Sequence, residues 1–294
     1  MFKKYFLLSL FFILFPFLIA YSQTFPKRII SLGPTITENL YLLEIGDRII
    51  ANTIYCLNPE DAKYKEKIGT ITEQNIEKIV SLKPDIVFAT SLTNPKTIAK
   101  LQNLKINYAC RLEEQCGTSS GIKVVQFSYA KSFDEICDQF LTLGRIVDRE
   151  KTAKKIVTQA KKEVEKIRNK TKKLSRPKVF VQIGADPIFT ATKESFINEF
   201  VLFAGGTNIA SDAKSGIYSR EKVVEQNPDI IILVTMGVTC EKERKNWEKF
   251  KTISAVKENK IYIVDSYKVC SPTPTSFVKT LNEIAEILCS KTKP

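Results

Sequence analysis

The residues of this chain best suited to meet a ligand stand just after short apolar runs. Pro34 follows the run at 29–32, Tyr55 ends the run 49–55, and Thr90 and Ser91 follow 86–89. Further along, Phe189 follows 179–183, Tyr218 precedes a helical segment, and Tyr267 and Lys268 follow 261–264. Apolar runs of this length, flanked by Gly and Pro, read as strands, and ligands of open α/β sheets bind in the loops at strand ends. Taken singly, each aromatic residue reads first as packing. Three tyrosines and a phenylalanine recurring at such places offer flat apolar faces to a large ligand, and Lys268 adds a cation. Pro34, Tyr55, Phe189, Tyr218, Tyr267 and Lys268 are therefore expected to line one groove.

Other chemistries lack their residues. No histidine occurs in 294 residues, which removes Ser-His-Asp and Cys-His catalysis and His-ligated metal centres. No pair of carboxylates stands out as an acid/base couple, and no phosphate-cradling glycine motif follows a strand. Catalytic residues, a metal site and a cofactor are accordingly not expected. The rival reading is an exported chelatase-like or reductase-like enzyme on the same framework, since a fold alone does not decide activity. Cysteines stand at 56, 110, 116, 137, 240, 270 and 289. Outside the cytoplasm their default state is disulfides, with Cys110 to Cys116 the simplest ring and at least one thiol left over; a thiolate site for a soft metal is the alternative. The sole tryptophan, Trp247, lies in a Lys- and Glu-rich segment and reads as a surface anchor.

Lys3 and Lys4, the apolar run 6–19 and the small residues Ala20 and Ser22 have the order of a secretory signal, with cleavage near Ser22 and a periplasmic destination. The run is shorter than the roughly 20 residues of a spanning helix. The formal charge of +13 suits a membrane surface, nucleic acid or an anionic ligand, and export disfavours nucleic acid.

The elements that must position these residues alternate helix and strand, the pattern of a mostly parallel sheet flanked by helices. The segment EKIVSLKPDIVF at 77–88 is matched by EKVVEQNPDIII at 221–232, which points to two similar lobes. Between them, 132–147 and 150–174 carry apolar residues at helical spacing, and the second is long enough to brace one lobe against the other. The expected organisation is a signal peptide at 1–22, an α/β lobe at 23–131, a helical linker at 132–176 and a second α/β lobe at 177–294.

The stretches RIISLGPTITENLYLLEIGDRI, IGTITEQNIEKIVSLKPDIVFAT, VQIGADPIFTATKESFINEFVLFAGGTNIASD and YSREKVVEQNPDIIIL resemble the cobalamin and ferric-siderophore class of periplasmic binding proteins over nearly the whole mature chain. The resemblance implies two α/β lobes joined by one rigid long helix, capture of a bulky ligand in the interlobe cleft, and delivery to an ABC importer by a monomeric protein. It places Tyr55 and Phe189 where cobalamin-binding members set aromatic walls, Ile71 and Thr90 where they have tryptophans, and Lys268 where they have an acid. Corrinoid and ferric chelate both stay open on that pattern, Lys268 favouring an anionic chelate. The resemblance further implies that Glu77 and Glu221, one per lobe, meet arginines of the two permease subunits. The plain alternative is that each acid only stabilises the first turn of its helix.

Overall fold

The duplicated segment is a structural unit, and its details explain its residues. Asn75 and Ser219 cap short helices by accepting from the backbone N–H groups of Lys78 at 2.9 Å and Lys222 at 3.3 Å. Each helix is followed by a residue with positive φ, Lys83 or Asn227, and then by Pro-Asp. Asp85 accepts from the N–H groups of Lys27 and Arg28, and Asp229 from that of Lys178. In both lobes the aspartate thus clamps the start of the lobe's first strand to the strand that follows Pro-Asp. The repeat is therefore conformational as well as textual.

The computed structural model describes residues 25–104, 121–173, 175–234 and 240–289. The expected leader with its cleavage point, the strand expected at 106–109 and the Cys110–Cys116 pair lie outside these residues. The first lobe contains β1 (Ile29–Ser31), α1 (Pro34–Leu42), β2 (Ile49–Asn52), β3 (Glu66–Lys67), α2 (Ile76–Ser81), β4 (Ile86–Thr90), α3 (Pro95–Asn103) and β5 (Val124–Phe127). Its sheet runs β3-β2-β1-β4-β5 and is parallel throughout. Two helices follow, α4 (Phe133–Ile146) and α5 (Glu150–Thr171).

The second lobe contains β6 (Lys178–Ala185), β7 (Ile188–Thr190), α6 (Phe196–Phe203), β8 (Thr207–Asn208), α7 (Arg220–Gln226), β9 (Ile230–Leu233), α8 (Cys240–Trp247), α9 (Ser254–Lys257), β10 (Ile261–Ile263), α10 (Ser266–Cys270) and α11 (Pro274–Cys289). Here β10, β9 and β6 are parallel, β7 folds back on β6 antiparallel, and β8 pairs with the start of β6. The architecture is α/β, with two similar lobes of mostly parallel sheet flanked by helices.

Helix α5 has 22 residues and is about 33 Å long at 1.5 Å per residue. Ala153, Val157, Ala160, Val164 and Ile167 are buried along one stripe that packs on α4, α6 and α11. One continuous core takes in Leu40 and Phe88 of the first lobe, Phe140 and Val164 of the bridge, and Phe200 and Phe277 beyond it. Rocking the lobes apart would open that core to water, at roughly 25 cal/mol per Å² of apolar surface. The connection is rigid for this reason.

One expectation is corrected. Trp247 is fully buried, not a surface anchor. Its indole N–H donates to Gln182 Oε1 at 2.7 Å, Gln182 donates to Glu243 at 2.8 Å, and Arg220 reaches Glu243 at 2.6 Å while stacking 4.7 Å from the indole ring. Burial raises the pKa of the Glu243 carboxyl, but hydrogen bonds from Gln182, Arg220 and Asn246 prevail and hold it below its usual value. A tryptophan in a charged helix looked exposed because its polar partners lie 65 and 27 positions away in the sequence. The cysteines among the described residues form no disulfide with one another. Cys56 and Cys137 are buried thiols, the first within 3.2 Å of both the Thr37 and Thr53 hydroxyls.

Candidate ligand site

All parallel strands of a lobe end on the same edge, so the loops after β1, β4 and β5 converge, and α10 brings in the second lobe's contribution after β10. Between them lies an open cavity of about 260 Å³. Pro34, Thr35 and Asn39 line it from α1, Thr90 to Leu92 from the loop after β4, and Phe127 to Ala130 from the end of β5. Phe196 of α6 and Cys270 to Pro272 after α10 complete it from the other lobe. Gly33 leaves little room at the first turn: a Cβ there would stand 2.5 Å from the Thr90 methyl group, so a larger residue would push the Thr90 side chain aside.

Tyr129 links the two lobes at this cavity. Its ring packs on Phe196 at 5.6 Å, and its hydroxyl lies 3.2 Å from that of Ser195, the N-cap of α6. Beside it Lys131 pairs with Glu194 at 3.4 Å, and the Phe133 backbone N–H donates to Glu199 at 2.6 Å. Burial raises the Glu199 carboxyl. Tyr129 and Cys270 are the lining side chains that titrate. Burial raises the phenol and lifts the Cys270 thiol to about 11; both are neutral at pH 7.

The six residues expected to share one groove are placed differently from one another. Pro34 lines the cavity, as do Ile71 and Thr90. Tyr55 and Phe189 are exposed and stand outside its lining. Tyr218 is turned into the second lobe, packing on Phe180 at 5.9 Å, because the apolar side of its ring has a core surface to cover. Tyr267 and Lys268 belong to the short helix that delivers Cys270, but neither points into the cavity. Lys268 pairs with Glu283 at 3.2 Å. The Tyr267 hydroxyl faces Glu38 of α1 with Asn58 beside them. Their alignment falls short of good hydrogen-bond geometry, which leaves Glu38 Oε1 and the Tyr267 hydroxyl buried without a protein partner.

Burial is the largest influence on Glu38 and raises its pKa, against the lowering effect of Tyr267 and Asn58. A raised carboxyl pKa means that the folded chain holds this proton more tightly than the unfolded one. Stability from this group is greatest below the unfolded carboxylate pKa and falls as pH rises through the folded value. Glu38→Gln is expected to raise the Tm at pH 7 and to leave it unchanged near pH 4, where wild type is already protonated. Melting curves at the two pH values check this, and an equal shift at both would refute the buried-charge account.

Phe127, Tyr129, Phe196 and Cys270 to Pro272 were not anticipated. The strand-end rule reaches Phe127 and Tyr129 once β5 is seen at Val124–Phe127. Phe196 sits at the first position of α6 and reads as core.

A rigid pair of α/β lobes with an aromatic and hydroxyl-lined cavity between them is the architecture of a solute-capture protein. The family model for periplasmic binding proteins matches residues 29–268, and the chain belongs to that family, whose members capture solutes for ABC importers. It is 31% identical over 89% of its length and 79% of the relative's to the uncharacterized ABC transporter substrate-binding lipoprotein YvrC of Bacillus subtilis (strain 168). It is 28% identical to the vitamin B12-binding protein of Yersinia pseudotuberculosis serotype O:3 (strain YPIII), over 70% of this chain and 69% of that one. Among solved structures, a possible iron-binding (periplasmic solute-binding) protein of Staphylococcus epidermidis ATCC 12228 superposes with a TM-score of 0.76 at 30% identity, covering 91% of this chain and 100% of the other.

Proposed function

We propose that this protein, secreted by cleavage near Ser22, captures a corrinoid or ferric chelate in the cavity around Tyr129 and presents it to the permease of an ABC importer. The observation that carries this reading is the interlobe cavity itself: open to solvent, walled by Pro34, Phe127, Tyr129 and Phe196, and spanning both lobes. At about 260 Å³ the cavity lies just below the roughly 300–1,000 Å³ typical of small-molecule sites, so a bulky ligand would project beyond it, and its aromatic walls suit the face of a large, flat, partly apolar ligand. The names of the relatives, a vitamin B12-binding protein and a possible iron-binding protein, point to the same ligand classes. Exposed Tyr55 and Phe189 add apolar surface at strand ends of each lobe, available to a ligand that projects beyond the cavity. Glu77 and Glu221 are exposed and would face the permease. Native mass spectrometry of the exported protein is the test, and the expected result is one bound small molecule of chelate mass per chain.

A further inference from the structure

A quarter of this chain is charged and its formal balance is +13, yet no described residue lining the cavity is Lys, Arg, Asp or Glu. The polar part of the lining consists of hydroxyls and amides, among them Thr35, Thr90, Ser91, Ser128 and Gln139. Asn39 belongs to the same wall, is 8% exposed, and its Oδ1 has no hydrogen-bond partner. The cation expected at the cleft, Lys268, is paired with Glu283 on α11, and Lys131 is paired with Glu194 across the lobes. The acid nearest the α1 wall, Glu38, would repel rather than attract an anion when ionised.

An anion entering such a site sheds water without gaining a counter-charge, the arrangement in which a buried charge is most costly. An uncharged ligand bearing amide or hydroxyl groups loses less, because hydroxyls and a spare amide can replace its water contacts. We propose that the cavity selects its ligand by charge rather than by metal: it takes uncharged, amide-bearing chelates and rejects anionic ones, with Asn39 as a polar anchor. This inference rests on the capture reading above and cuts across its two ligand classes, since a corrinoid and a neutral ferric trihydroxamate both qualify while a ferric tris-catecholate and ferric citrate do not.

The test is calorimetric titration of the full mature protein with four probes: dicyanocobinamide, a neutral ferric trihydroxamate, a ferric tris-catecholate and ferric citrate. At least one neutral probe is expected to bind about 100-fold or more tightly than either anionic probe, the scale of an uncompensated buried charge. Gln139→Lys adds a cation on the partly exposed side of α4 and is expected to narrow that ratio at least about tenfold by strengthening the anionic probes. Asn39→Leu should weaken the neutral probe while leaving the ranking intact. Anionic probes binding wild type as well as or better than neutral ones would overturn the charge-selection inference alone. A protein that bound none of the four, and none after Gln139→Lys, would overturn the capture reading and the inference with it.

Discussion

Replacing Glu77 and Glu221 together by alanine is expected to abolish ligand-stimulated transport while the free protein binds its ligand as before. Both acids occupy the second position of a short helix that precedes a parallel strand, α2 before β4 and α7 before β9. A crossover helix runs antiparallel to the strands it connects, so each helix begins at the carboxyl edge of its sheet, the edge on which the cavity opens. On the proposed docking, one negative charge on each lobe would meet the permease from that edge. Glu221 is held below the usual carboxylate range by its own backbone N–H and the Ser219 hydroxyl, and Arg220 beside it is tied to Glu243 and Trp247. The second lobe thus presents its charge from a braced position. Paired like charges on two matching lobes suit a two-fold permease and fix orientation as well as attraction. Removing a close charge pair across an interface commonly weakens it by on the order of 100-fold or more, and the proposed docking would lose two. Unaltered transport and complex formation in the double variant would leave helix capping as the sole role of these residues.

Tyr129→Ala is expected to weaken ligand binding by roughly 1–3 kcal/mol, or about 5- to 150-fold in Kd, through loss of an exposed aromatic wall. Tyr129 is 50% exposed and can receive a ligand face on one side while Phe196 supports the other. Tyr129→Phe separates two roles, because it keeps the ring and removes the hydroxyl that meets Ser195 across the lobes. Affinity near wild type in Tyr129→Phe together with the large loss in Tyr129→Ala would assign the effect to stacking. Equal losses in both would assign it to the interlobe bond, and no loss in either would remove Tyr129 from the site. Circular dichroism melts of both variants show whether the lobes remain joined.

Much of the fold was legible because its signals are local. Asn75 and Ser219 announce helix starts, Pro84-Asp85 and Pro228-Asp229 announce the strands that follow, and the apolar stripe of α5 announces a long packed helix. The two-lobed plan follows from the repeat of these signals. What stayed hidden depends on long-range packing. The partners of Trp247 come from β6 and α7, and nothing near residue 247 predicts them. The apolar stripe of α11 reads as an ordinary closing helix, although it packs against α5 and contributes Phe277 and Leu281 to the core shared by both lobes. In the site, strand-end logic finds the correct edge of the sheets but not the direction of each side chain. Tyr218 and Tyr267 sit near that edge and turn away, the first to cover Phe180 and the second toward Glu38. Lys268 is paired with Glu283, fifteen positions on, which removes the site-based argument for an anionic ligand.

The central claim, that the interlobe cavity is the capture site, is tested most directly by native mass spectrometry of exported wild-type protein beside Ser91→Trp. Ser91 lines the cavity from an exposed position, so an indole there fills the mouth without entering the core. The account predicts one bound molecule of chelate mass per wild-type chain and an empty, normally folded Ser91→Trp protein. The same molecule retained at the same occupancy in Ser91→Trp would place the capture site elsewhere and contradict the account.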